Sequence, residues 1–565
     1  MKTEIIGLLL QIGLTIMLSY PLGYYISKVY KGEKTFLDFL SPIENMFYRI
    51  CRIDPKEKMN WKIFLITLLT VNFVWFFWGI ILLVAQGVLP LNPDGNPSQS
   101  ISQAFNTSIS FMVNCNLQHY SGESGLTYFT QLFVIMLFQF ITAATGMSAF
   151  AAMLKGMSAK TTHNLGNFWV YLIKSVTRIL LPLSLIVGFL IIIGGVPMSF
   201  EGKQTLTTLE GQEQTISQGP VAAVVAIKQL GTNGGGFYGA NSAHPLENPS
   251  YFTNMIEGIA IMLLPMAFIW TLGFYIKKHR FALGIFLVML LPYLSSVSIA
   301  VGQEMRGNPK IEEMGISQHS GSMEGKEIRI GAGATALWAM STTVTSNGSV
   351  NGMHDSLTPL SGMLAILNMQ VNCWFGGVGV GFMNYYIFII IAVFLSGLMV
   401  GRTPEFLGKK IEAKEMKIAI IITLLHPFLI LCGTAIASYL AVSDPQLASA
   451  WLANPSFHGL SEMFYEFTSS SANNGSGFEG LGDNTNFWNI STGIVLIISR
   501  YLPIIGQIAI VGLLASKKYI PESAGTLKTD TSTFALMTFV VIIIIAALAF
   551  FPALTLGPIA EYLNL

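Results

Sequence analysis

Four short runs rich in Ser, Thr, Asn and Gly are the places where this chain could do chemistry: 108–116, 225–236, 339–349 and 464–476. Each holds an Asn followed by a small residue, at Asn114-Cys115, Asn233-Gly234, Asn347-Gly348 and Asn474-Gly475, spaced 119, 114 and 127 residues apart. Gly takes positive φ without steric cost, and Asn tolerates it better than most residues. Turns of this kind can aim backbone carbonyls at one point, and rings of carbonyls can replace the hydration shell of a cation. No carboxylate lies in the polar turns themselves, whereas a selective Ca²⁺ or Mg²⁺ site is expected to use acidic ligands. The expectation is a monovalent-cation filter built from Val113, Asn114, Cys115 and Asn116, from Thr232, Asn233, Gly234 and Gly235, from Ser346, Asn347 and Gly348, and from Asn473, Asn474 and Gly475.

The elements that must hold these turns are read from composition. The 565 residues are 52% hydrophobic and 11% charged, with a mean hydropathy of +0.58. Soluble domains carry about 25% charged residues. Ten segments are long and apolar enough to cross a bilayer: 5–27, 61–86, 128–154, 171–194, 252–276, 281–301, 381–400, 417–441, 488–515 and 532–556. The run from Ile5 continues past Tyr24 without a clear small-residue cleavage site, so it reads as a retained span. Connections at 27–62, 155–178, 277–280, 401–417 and 517–528 hold 23 of the 31 Lys and Arg residues. The positive-inside rule puts them in the cytoplasm and both termini outside, with all four polar runs on the outer side. A net charge of +1 offers no case for nucleic-acid binding, and the four scattered cysteines offer none for zinc or disulfides.

Self-similarity at a near-constant period divides the chain. The reading is a first span and cytoplasmic loop (1–60), four repeats of span, re-entrant loop and span (61–154, 171–276, 281–400, 417–515), and a last span (516–565). Two spans per unit return the chain to one side, so all four units share one orientation around an axis. The fold class is an all-α integral membrane protein with ten transmembrane helices and four pseudo-repeats. The stretches before the turns, about 10–14 residues, are too short to cross. A helix that enters from outside points the negative end of its dipole inward, which favours a cation there. The rival reading, four polar surface turns, fits one Asn-Gly pair. It does not fit four at near-equal spacing on one side.

Longer motifs then carry a resemblance. Thr232 to Pro249 (TNGGGFYGANSAHPLENP), Asn351 to Asp355 (NGMHD), Phe375 to Gly379 (FGGVG) and Gly401 to Lys410 (GRTPEFLGKK) resemble signatures of the potassium-binding subunit family of the bacterial Kdp potassium-transporting ATPase. The resemblance covers essentially the whole chain. It implies a four-loop arrangement as in the potassium channel and transporter superfamily, K⁺ as the ion, and a bacterial plasma-membrane complex. The implied partners are a P-type ATPase subunit, an accessory single-span subunit and a small membrane peptide. K⁺ selected outside would pass to the ATPase subunit through an intramembrane tunnel. The chain has neither a phosphate-binding Gly-x-x-x-x-Gly-Lys-Ser/Thr loop nor an Asp-Lys-Thr-Gly motif. No nucleotide is expected on it, and hydrolysis would lie on a partner. Two positions depart from the family pattern: Asn347 stands where the family's third segment carries Cys, and Asn372, Cys373 and Trp374 stand where a Glu precedes the Phe-Gly-Gly run. Cys115 is read as standing where the other three runs have Gly. The alternative function is a free-standing Trk/Ktr-like channel or symporter without ATP coupling.

Further residues complete the expectation. Gly376, Gly377, Gly379 and Gly381 read either as an unwound gate or exit segment or as close helix packing. Arg402 reads as a positive-inside anchor, or, through the resemblance, as a cationic barrier. Arg500 lies inside an apolar run, and the preferred expectation pairs it with a polar loop. Gln118, Glu123 and Asp355 follow the polar runs and read as filter support. His244, His354 and His426 show no ligand-like spacing, so no metal is assigned to them.

Overall fold

A computed structural model describes residues 2–399, 401, 403–521 and 527–564. Among them ten helices are long and apolar enough to span a bilayer: Thr3–Lys31, Trp61–Val88, Tyr128–Ser158, Phe168–Ile193, Tyr251–Ile276, His279–Glu313, Val380–Met399, Ala413–Ser443, Asn486–Ser516 and Ser532–Leu556. They coincide with the ten expected segments and are called spans 1–10. Polar side chains set their starts. Asn60 accepts from the N–H groups of Lys62 and Ile63 at the head of span 2, Ser250 and Thr253 form a capping box on span 5, and Thr485 caps span 9.

Four shorter helices sit in the connections on one side: Ile101–Met112, Val221–Leu230, Ala332–Val344 and Ser456–Ala472. They are loop helices 1–4. The fourth has 17 residues, more than the sequence suggested. At 1.5 Å per residue it still falls short of the roughly 30 Å hydrocarbon core.

Burial follows the repeat. In each unit the second span is the more enclosed: 72% of span 3 against 28% of span 2, 67% of span 5 against 39% of span 4, 56% of span 7 against 44% of span 6, and 56% of span 9 against 22% of span 8. Spans 3, 5, 7 and 9 therefore surround the loops, and their partners form an outer layer. Span 1 lies on span 5, where Gly23 allows close approach, and Thr271 donates to the Gly23 carbonyl at 3.1 Å. Span 10 joins span 7 through Tyr385 and Thr538 at 2.8 Å.

Three features were not legible in the sequence. A short apolar helix, Pro359–Val371, precedes span 7, and a non-helical linker at 372–379 separates the two. With 13 residues it falls below span length. Two hairpins, Gln204–Thr207 with Glu213–Ile216 and Glu405–Phe406 with Lys409–Lys410, decorate opposite sides. Spans 3 and 4 contain π-helical turns, Gln131–Met136 and Val176–Leu180. The second of these presents Arg178. Its Nε and Nη2 meet the two Glu44 oxygens at 2.6 and 2.8 Å, and Nη1 meets Asp38 at 2.6 Å. This forked pairing bolts the basic 27–62 connection to span 4.

Candidate ion-binding site

The four polar turns converge, and their backbone sets their register. Each loop helix ends in the same way: the N–H of Cys115 donates to Ser110 O, Asn233 to Lys228 O, Asn347 to Thr342 O and Asn474 to Ser469 O. In each case the bond reaches back five residues. The residue before it is left-handed in all four loops: Asn114 (φ 61°), Thr232 (46°), Ser346 (51°) and Asn473 (51°). The residue after it has positive φ again: Asn116 (61°), Gly234 (85°), Gly348 (87°) and Gly475 (105°).

The first loop is thus shifted by one residue from its expected alignment. Cys115 matches Asn233, Asn347 and Asn474, and Asn116 takes the place of the three glycines. Cys115 does not replace a glycine. The Asn-plus-small pattern misled because the first loop places Asn on both sides of its central residue, and each of them tolerates positive φ.

The glycines are required by the neighbouring loop. A Cβ on Gly234 would overlap the carbonyl oxygen of Asn347, one on Gly348 that of Asn474, and one on Gly475 that of Cys115. The central carbonyls of loops 1, 3 and 4 therefore lie against the next loop around, and the ring runs 2–3–4–1. Its remaining seam, between loops 1 and 2, is joined by Asn114 Nδ2, which donates to Gly231 O and Thr232 O at 3.1 and 2.8 Å. Asn347 Nδ2 reaches Lys228 O at 3.3 Å, and Asn474 Nδ2 reaches Thr342 O at 2.8 Å. Asn side chains thus lace adjacent loops together.

The carbonyls of Cys115, Asn233, Asn347 and Asn474 accept no hydrogen bond from the described residues, and all four residues are fully buried. A buried polar group left unpaired costs about 1–3 kcal/mol. Each of the four loops contributes one such neutral oxygen to the ring. Val113 is the residue after loop helix 1 and closes that helix, its N–H donating to Ile109 O. Gly235 is held outward, with its carbonyl accepting from Gln139 Nε2 at 2.8 Å.

The supporting residues divide. Gln118 grips Gly236, accepting from its N–H at 2.9 Å and donating to its carbonyl at 3.1 Å. Glu123 accepts from the Gly239 N–H at 2.7 Å. Both brace the segment after loop 2. Asp355 does not touch the ring. It faces His458 at 2.9 Å, at the head of loop helix 4, and His458 also meets Glu561 at 2.8 Å. Asp355, His458 and Glu462 offer donor atoms within 4.8 Å of one another. Protein groups already engage them, since Asn454 Nδ2 bridges Asp355 and Glu462 at 3.2 and 3.1 Å. His354, beside Asp355 in the chain, pairs with the Tyr465 hydroxyl at 2.9 Å, and His426 joins Ser471 to Met369 O.

The 372–379 linker runs beneath the ring. The Val378 N–H donates to Thr232 Oγ1 at 2.9 Å, and the Gly376 N–H to Val344 O at 2.8 Å. Ser346 donates to Asn372 Oδ1 at 3.0 Å. Gly376 and Gly379 have positive φ, while Gly379 lies against the backbone of Gly146 and Gly381 against Phe375 O. Unwinding and close packing, offered by the sequence as alternatives, occur together.

Below lies a cavity of about 100 Å³, lined by Asn114, Ser346 and Asn473 of the ring and reaching Ile542, Ala546 and Phe550 of span 10. Arg500 also lines it and is 8% exposed. The expected polar-loop partner is missing: the Arg500 side chain makes no hydrogen bond or ion pair among the described residues. Arg402 lies outside the described residues.

Sequence reasoning missed the ion pairs behind the loops. Lys228 meets Glu247 at 2.5 Å, Lys326 meets Glu304 at 3.1 Å, and His119 meets Glu466 at 3.3 Å. All are buried. Charged residues within otherwise apolar or polar-neutral runs, such as Lys228 and Glu466, were the available signal.

Residues 9–563 match the profile of the family described as the potassium-transporting ATPase A subunit. The chain is 68% identical to the potassium-transporting ATPase potassium-binding subunit of Bacteroides thetaiotaomicron, with all of both chains covered. It is 59% identical to that of Flavobacterium johnsoniae, again over all of both, and 46% identical to that of Geobacillus kaustophilus, over 98% of each. Among solved structures, the potassium transporter TrkH of Vibrio parahaemolyticus aligns with a TM-score of 0.49 at 14% identity, covering 90% of this chain and 98% of its own. By its sequence over nearly its full length, the chain belongs to the family of the potassium-transporting ATPase A subunit.

Proposed function

We propose that this chain is the potassium-binding and translocating subunit of an ATP-driven uptake complex. The observation that carries the reading is the ring of four buried central carbonyls without hydrogen-bond partners among the described residues. Neutral oxygens alone suit a large monovalent ion, whereas Ca²⁺ and Mg²⁺ sites recruit carboxylates. The names of the close relatives support K⁺ as that ion.

In this reading the ring faces outside and the basic connections face the cytoplasm of a bacterial plasma membrane. The ring residues at 113–116, 232–235, 346–348 and 473–475 form the filter, one loop from each of the four repeats. Gln118 and Glu123 hold its second quadrant. K⁺ sheds its water there and enters the cavity below. The 372–379 linker, with its three glycines, covers part of the floor, and the cavity opens toward span 10, so the ion leaves sideways. A P-type ATPase subunit receives it, accompanied by an accessory single-span subunit and a small membrane peptide. Hydrolysis takes place on that partner, and this chain binds no nucleotide.

The test is to purify the tagged chain from its native membrane in mild detergent and assay ATP hydrolysis with K⁺, Rb⁺ and Na⁺. Copurifying partners and hydrolysis stimulated best by K⁺ are expected. A chain that purifies alone and passes K⁺ passively in liposomes would replace this reading with the channel one.

A further inference from the structure

Lys228 stands in the last turn of loop helix 2, fully buried, a cation beside a site for cations. Its ammonium donates to Glu247 Oε2 at 2.5 Å, Ser242 Oγ at 2.6 Å and Asn241 Oδ1 at 2.9 Å, which uses all three protons. Lysine can only donate, so the amide oxygen of Asn241 must face it. The amide nitrogen then points the other way and donates to the Gly234 carbonyl at 2.6 Å. The backbone carbonyl of the same lysine receives the N–H groups of Asn233 and Gly234 at 3.0 and 3.3 Å. One residue thus holds the turn from both sides.

The other loops lack this arrangement. The carbonyls of Asn116, Gly348 and Gly475, which occupy the place of Gly234, accept no hydrogen bond from the described residues. Glu247 is itself fixed, accepting from the Tyr238 N–H at 2.9 Å. Pairing cancels the lysine's charge, so its effect on a bound ion is geometric.

We infer that Lys228, Glu247 and Asn241 are positioning residues that clamp the Gly234–Gly235 peptide and so set the spacing of the outer oxygens that distinguish K⁺ from Rb⁺ and Na⁺. The inference rests on the filter reading above.

Asn241→Asp in the full complex tests it. The change is isosteric, tolerates the left-handed backbone of this position (φ 53°) and keeps an oxygen for Lys228, but it removes the donor to Gly234. An added carboxylate attracts all monovalent cations alike, so the ratio of half-saturating concentrations for K⁺, Rb⁺ and Na⁺ isolates geometry. Discrimination is expected to fall by about fivefold, the scale of one net hydrogen bond, with the complex assembled at its usual yield. The double variant Lys228→Met/Glu247→Met removes both charges together and leaves neither unpaired. It is expected to lose discrimination in the same way. Gly234→Ala serves as the reference. If it leaves K⁺ affinity unchanged, the filter reading itself fails. If it shifts affinity while Asn241→Asp keeps the parental ratios, the clamp is purely structural and the inference is overturned. Asn241→Asp alone decides where the double variant does not assemble.

Discussion

The Cα of Gly475 lies against the carbonyl oxygen of Cys115, so the fourth loop seats on the first and closes the ring across more than three hundred residues of chain. A methyl group on Gly475 would have to displace that oxygen, and its φ of 105° is in a region that side chains avoid. Gly475→Ala is therefore expected to raise the half-saturating K⁺ concentration by about tenfold or more, equivalent to ~1.4 kcal/mol or more. Titration of K⁺-stimulated hydrolysis checks this. An unchanged value would mean that the Cys115 carbonyl is not a ligand.

Asn116 gives the converse case. It occupies the glycine position of loop 1 and already sits at φ 61°, so Asn116→Gly meets no steric barrier. Its costs are two long bonds, one from Gln139 at 3.4 Å and one to Asn233 Oδ1 at 3.5 Å, and about 0.5–1 kcal/mol of added backbone freedom. K⁺ affinity should stay within about twofold while thermal stability falls slightly. A large loss of affinity would overturn the one-residue shift in register.

Much of this was legible before any coordinates, because bilayer crossing and loop recurrence both leave periodic marks on a sequence. The ten spans are legible as apolar runs, and the four turns as Asn followed by a small residue. What failed was local. Cys115 was misaligned because composition cannot report which peptide is left-handed. The helix 359–371 was missed because a 13-residue, mostly apolar stretch does not announce a broken span. Asp355 was placed at the filter because sequence distance from Asn347 is short, while its partner His458 is far away in the chain. Lys228 carried no expectation, since Glu247 and Asn241 reach it only after the loop folds back.

The His458 cluster makes stability depend on pH. Burial lowers the pKa of His458, but its bonds to Asp355 and Glu561 outweigh this and raise it to about 10. A raised histidine stabilises fully below its ordinary value near 6.5 and loses that contribution as pH rises through about 10. Burial also lifts Glu462 to about 6 and Glu479, which accepts from the Asp355 N–H at 3.0 Å, to about 7. For these raised carboxylates the sign is a cost that grows as pH rises from 4.5 toward the folded values. The melting temperature of the complex should therefore fall between pH 4.5 and 7 through the carboxylates, go on falling from about 6.5 through His458, and level off near pH 10. His458→Gln should weaken the alkaline step and leave the acidic one. An identical alkaline profile in that variant would remove His458 as its source.

Arg500 carries the last prediction. It lines the cavity under the ring with no partner among the described residues, and the side chain lies near Gly146, whose Cβ position is 3.5 Å from Nη2. An uncompensated buried charge destabilises a fold by several kcal/mol, and replacing it with a neutral chain of similar length is commonly stabilising. A cation held there also repels any second cation that enters the cavity. Arg500→Met should thus raise the melting temperature, yet admit K⁺ to the cavity more readily and weaken the link between uptake and hydrolysis. The measurement is passive Rb⁺ flux in liposomes without ATP, together with K⁺ transported per ATP. Greater stability with more leak supports an electrostatic barrier. Lower stability with unchanged flux would return Arg500 to a structural role.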